Sequence, residues 1–123
     1  MNAKTGSSLR KPNPEQRSAR EELEQRLTSV PGLTRQPGRR GHGSAYFISN
    51  REIVHFHGEE RVDVRLTRQV IHTPAAERLY DARVRTRGPS SDWVAVQVVE
   101  FEDVTLAMSL VKVAMGARAN LAK

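Results

Sequence analysis

The chain contains no cysteine, and its 123 residues include only one Trp, two Tyr and three Phe. Without cysteine there is no disulfide, no thiolate metal site and no cysteine nucleophile. No uncharged apolar run approaches the roughly 20 residues that a bilayer-crossing helix needs. No basic segment followed by an apolar block opens the sequence, so a cytoplasmic protein is expected. What is present is 37% hydrophobic and 28% charged residue, which excludes a chain disordered throughout. At this length one hydrophobic core can form, and only one.

The formal net charge of +6 is unevenly placed. Residues 1–42 carry nine Lys or Arg against four Glu, and residues 43–123 carry eleven against ten acids. Residues 1–12 have almost no apolar content and read as a mobile basic tail, leaving 13–123 as a single domain. Between Thr34 and Gly43, glycines and Pro37 break any periodicity while Arg35, Arg39 and Arg40 concentrate positive charge on what reads as a loop. Those three arginines with the tail offer one route to nucleic acid, whose hallmark is affinity that falls steeply with salt. Neither the P-loop nor the dinucleotide spacing of glycines occurs, so no cofactor is expected.

The pattern predicts the order α-β-β-β-α-β-α. Asn13 can cap a helix with Pro14 at its first position, and Ala19, Leu23, Leu27 and Val30 form a narrow apolar stripe that Pro31 and Gly32 end. Ser44–Ser49, Glu52–His57 and Arg61–Thr67 are short runs rich in β-branched and aromatic residues and read as an antiparallel meander. Thr73 and Pro74 can start a helix that runs to Arg83, and Trp93–Val99 reads as a strand covered on both faces. Glu100, Glu102 and Asp103 suit the start of a last, largely apolar helix. One sheet covers about half of such a helix, so its surplus apolar surface meets the first helix or a second copy in a homodimer. The fold class is α+β, a four-stranded, mostly antiparallel sheet backed by the N- and C-terminal helices.

Register decides where the polar side chains of the meander point. With Asn50 and Arg51 as a two-residue turn, Phe47 faces Val54 on one side while Tyr46 faces His55 and Ser44 faces His57 on the other. With Gly58-Glu59-Glu60 as a three-residue loop, Phe56 pairs with Val62, Val54 with Val64, His55 with Asp63 and His57 with Arg61. One face then collects Tyr46, His55, His57, Arg61, Asp63 and Arg65. A solvated sheet surface is the simplest meaning of that collection. A second is a pocket for a small anionic ligand, in which an imidazole is held by a carboxylate, a phenol donates and guanidinium groups grip an acid. The third is a metal site or a small acid-base enzyme, because His55-x-His57 places two imidazoles on one strand face and Asp63 adds an oxygen. Asp92, His42 and His72 could complete such a site only if folding brings them close.

The stretch Arg51-Glu52-Ile53-Val54-His55-Phe56-His57-Gly58, then Val62-Asp63-Val64, Ser91-Asp92-Trp93-Val94 and a closing helix beginning Glu102-Asp103-Val104, resembles the small bacterial proteins of the luciferase-domain family. The similarity runs from about Leu23 to Met115. It supports the element order and directs attention to His55, His57 and Asp63. It implies no reaction, and no flavin or adenylate motif accompanies it. The expected role is a ligand-binding or interaction module that uses the polar face of the sheet.

Overall fold

The structure, a computed structural model, describes residues 18–37, 43–72, 81–88 and 90–122, with side chains described as far as residue 116. The first described helix, α1 (Ala19–Thr28), begins later than the Asn13 cap predicts; that cap and the basic tail lie outside the described residues. Ser18 is extended (φ −70°, ψ 161°) and cannot continue a helix through itself. Its hydroxyl accepts from the Glu21 N–H at 3.1 Å and Glu21 accepts from the Ser18 N–H at 3.0 Å, so Ser18-x-x-Glu21 supplies both halves of a capping box. Ala19, Leu23 and Leu27 form its buried stripe, as their spacing predicts.

Among the described residues the sheet has six strands rather than four, in the order β1-β2-β3-β4-β6-β5, and every neighbouring pair is antiparallel. The strands are β1 (Thr34–Pro37), β2 (Ser44–Ile48), β3 (Arg51–Phe56), β4 (Arg61–Arg65), β5 (Val84–Thr86) and β6 (Trp93–Gln97). The two unexpected strands are the edges. β1 is exposed at all four positions, so it has no alternation to read, and its Pro37 is tolerated because an edge has a free side. β5 is three residues with one buried side chain, Val84. β6 alternates buried residues with half-buried ones and ends on an exposed Gln97, so it is not covered on both faces as expected.

A short helix, α2 (Arg68–Ile71), follows β4. Of the helix expected over Thr73–Arg83, residues 73–80 lie outside the described residues, and Asp81–Arg83 form a turn closed by the Val84 N–H on the Asp81 carbonyl. The last helix, α3 (Phe101–Ala122), starts where the acidic cluster predicts. Asp103 accepts from the N–H groups of Val99 and Glu100, both at 2.9 Å, and from Arg83 Nη1 at 2.7 Å. Burial pushes the Asp103 carboxyl up, but these bonds outweigh it and hold it below its ordinary value. α3 lies against α1, β4 and β3, so the first helix takes part of the surplus apolar surface.

The core is the layer between sheet and helices. Val54, Val64 and Val94 form one buried row across β3, β4 and β6, and Phe56, Val62 and Val96 form the next. Leu23, Leu27, Val104, Ala107, Leu110 and Val111 cover them from the helices. Burying each larger aliphatic side chain contributes about 1.5–3 kcal/mol.

The β3–β4 register is the predicted one, with Val54↔Val64, His55↔Asp63 and Phe56↔Val62, and Gly58 has the positive φ (+82°) that its loop needs. The β2–β3 register is not. Its turn is Ser49-Asn50 rather than Asn50-Arg51, with φ of +47° and +69°, the two left-handed residues of a type I′ turn. Ile48 pairs with Arg51 and Phe47 with Glu52, yet Tyr46 pairs with Val54, so Ile53 is the extra residue of a β-bulge. Ile53 and Val54 consequently both enter the core, while Glu52 turns to the His55 side.

Candidate functional site

The polar face is organised around Asp63, at the middle of β4, whose side chain is only 1% exposed. Its Oδ2 lies 2.8 Å from His55 Nε2 and accepts from Arg87 Nη1 at 3.4 Å. Arg61 closes a fork on the same carboxylate, Nε to Oδ1 at 3.0 Å and Nη2 to Oδ2 at 3.4 Å. Burial alone pushes the Asp63 carboxyl up, but the hydrogen bonds and charges of His55 and Arg61 prevail and hold it below the ordinary carboxylate value. The other ring nitrogen of His55, Nδ1, faces Glu52 Oε1 at 3.9 Å, a contact that exists because the bulge at Ile53 turned Glu52 to this side.

Trp93 forms the flank of the site. Its ring lies 4.7 Å from the His55 ring at a 49° tilt, and the Arg65 guanidinium stands 5.7 Å from its centroid. Asp92 anchors this corner: Oδ1 accepts from the Arg68 N–H at 2.8 Å, Oδ2 from Arg65 Nη2 at 3.5 Å, and its carbonyl from the N–H groups of Leu66 and Thr67. Arg65 Nε is buried without an acceptor. Beyond Asp63 the same row continues through Ala95 of β6 to Arg85 of β5.

Of the residues read from the sequence, His55, Asp63, Arg61 and Arg65 lie on this face, and the first three are in direct contact. Tyr46 does not join them. The bulge and shifted turn put it opposite Val54, fully buried on the core side, where its hydroxyl donates to Glu24 Oε1 at 3.1 Å and burial pushes its phenol up. Phe47, expected in the core opposite Val54, is buried outside that cluster and pairs with Glu52. Ser44, expected opposite His57, pairs with Pro37 on its other side. His57 lies just past the end of β3 and is exposed, its N–H bonded to the Arg61 carbonyl at 2.9 Å.

Among the described residues no group of three or more His, Asp or Glu side chains could hold a metal ion. Within the triplet His55, His57 and Asp63, the Asp63 carboxylate is already taken by guanidinium groups. Arg35 belongs to a different cluster, bonded to Glu24 Oε1 at 3.3 Å and to Ser44 Oγ at 2.7 Å; Arg39, Arg40 and His42 lie outside the described residues. Arg87, Glu52 and the Trp93 flank went unread. Arg87 follows a strand too short to show a period, and Glu52 reaches the face only through a bulge, so neither leaves a signal in the spacing.

Among the described residues no helix is long and apolar enough to cross a membrane. A family model described as Luciferase domain matches residues 50–114, just over half of the chain, from the β2–β3 turn to well inside α3. Neither a curated protein nor a solved structure matches it.

Proposed function

The chain belongs to the luciferase-domain family, and we propose that it works as a binding module whose polar sheet face holds a small anionic ligand. The observation that carries this reading is the ratio of donors to acceptors around Asp63. One fully buried carboxylate is approached by two guanidinium groups and an imidazole, and the side chains of Arg61 and Arg87 remain 40% and 48% exposed. Arg65 and Arg85 add two more guanidinium groups on the same face. Each guanidinium carries five donors in a rigid fork suited to carboxylate and phosphate oxygens. A surface built only to be wetted has no need to bury an aspartate among cations, since removing a charge from water costs several kcal/mol.

The contacts of His55 favour binding over acid-base chemistry. A general base needs one ring nitrogen held by a partner and the other open to substrate, whereas here Nε2 meets Asp63 and Nδ1 faces Glu52. His55 thus orients Asp63 and Trp93. A thermal-shift series with acetate, citrate and inorganic phosphate tests the proposal: at least one anion raises the melting temperature of the wild type in a saturable way, and the R85Q/R87Q variant loses that rise. No rise with any of the three, or an equal rise in the variant, overturns it.

A further inference from the structure

On the polar face Ala95 occupies the centre of a grid. Register places Asp63 and Arg85 beside it on β4 and β5, Trp93 and Gln97 precede and follow it on the same face of β6, and Arg61 and Arg65 lie on the diagonals. Neighbouring strands are about 4.8 Å apart and same-face residues along a strand about 6.6 Å. Ala95 is half-buried, so its methyl, the smallest side chain of this group, stays accessible between longer ones. Arg87, one residue past β5, reaches across β6 to Asp63. Its hold is weak: one 3.4 Å contact to a carboxylate already forked by Arg61 and bonded by His55, on a side chain that is 48% exposed. Gly88 follows it at φ +107°, a conformation that glycine adopts without steric cost.

We infer that the ligand is a flat ring bearing an oxyanion, the ring resting on Trp93 above Ala95 and the oxyanion taken by Arg87 as it leaves Asp63. This rests on the anion-binding reading and adds the ring to it. Trp93 is half-buried, with His55 and Arg65 already against it, so its orientation is set before a ligand arrives and little ordering entropy is lost on stacking. The exchange at Asp63 is tolerable because Arg61 and His55 keep the carboxylate satisfied when Arg87 departs. Carboxylate and phosphate monoester each offer a pair of oxygens to a guanidinium fork, so either suits Arg87.

Trp93 is the only tryptophan in the chain, so its intrinsic fluorescence reports this one place. The probes are benzoate and phenyl phosphate, each against its ringless counterpart, acetate and inorganic phosphate. A ringed anion should quench Trp93 saturably and bind about tenfold more tightly than its counterpart, the gain expected when one ring stacks on an indole; which of the two binds identifies the oxyanion. R87Q should weaken it about tenfold, and A95L, which puts a bulky side chain where the ring rests, should abolish quenching while the far-ultraviolet circular dichroism stays that of the wild type. If A95L misfolds, R87Q, on an exposed side chain, still decides the matter. Equal affinity with and without the ring, or a ringed anion bound as tightly by R87Q, overturns this inference while leaving the anion site standing. If none of the four anions binds, the anion site and the inference fall together.

Discussion

The two faces of the same strands are held by different physics. On the helix side, the Val54, Val64 and Val94 row and its neighbours are buried against α1 and α3, and stabilisation comes from area removed from water. One residue along each strand, on the other side, Asp63 is just as buried but stabilised only because His55, Arg61 and Arg87 satisfy its charge. Area is forgiving, since a smaller side chain loses contacts in proportion. A buried charge set is not, because removing the shared carboxylate strands every group that converges on it. The geometry of the polar face is thus kept in place by complementary charges, while Arg61 and Arg87 stay partly exposed around the buried carboxylate.

The sharpest way to break this comparison is Asp63→Ala, which leaves three cationic or hydrogen-bonding groups converging on nothing. A loss of about 4 kcal/mol in urea unfolding is expected, and a loss under about 1 kcal/mol would show the polar face to be a loosely solvated surface. Leu110→Ala, on a fully buried α3 side chain, should cost about 3 kcal/mol by creating a cavity in the helix layer. The same change should leave the Trp93 fluorescence spectrum unaltered, because the sheet lies between them. The smallest effect concerns pH. Asp63 has a folded pKa below the ordinary value of 3.8, so its contribution is complete above that value and is lost as pH falls through the lower folded one. Asp81, held down to about 2 by Arg83, and Asp103 act in the same direction. Only the difference between wild type and Asp63→Asn therefore isolates Asp63. That difference should shrink on acidification below about pH 4, and a difference independent of pH would remove Asp63 as a titrating support of the fold.

How far the site could be read from the chain depended on how locally each part is determined. The pairing of His55 with Asp63 was legible because a one-residue slip in the β3–β4 hairpin puts Phe56 opposite Asp63, and no compact packing tolerates that. The β2–β3 pairing was not, because strict alternation holds only for a strand without a bulge. The extra residue at Ile53 took Tyr46 out of the site and brought Glu52 in, with both Ile53 and Val54 apolar enough to be buried together. β1 and β5 escaped notice because edge strands bury little, and periodicity is a signal of burial.

Composition and spacing by themselves determined an α+β domain with one core, the first helix's stripe of Ala19, Leu23 and Leu27, the start of the last helix and the meeting of His55 with Asp63, since each follows from short-range periodicity or from a single hairpin. Only the tertiary structure decided that Arg87 reaches the Asp63 carboxylate from 24 positions away, that Trp93 lies against His55, and that Tyr46 turns inward. Those outcomes depend on which strands become neighbours and where the ladder is interrupted. Both are set by the packing of the whole sheet against α1 and α3, not by any stretch of residues a local pattern can span.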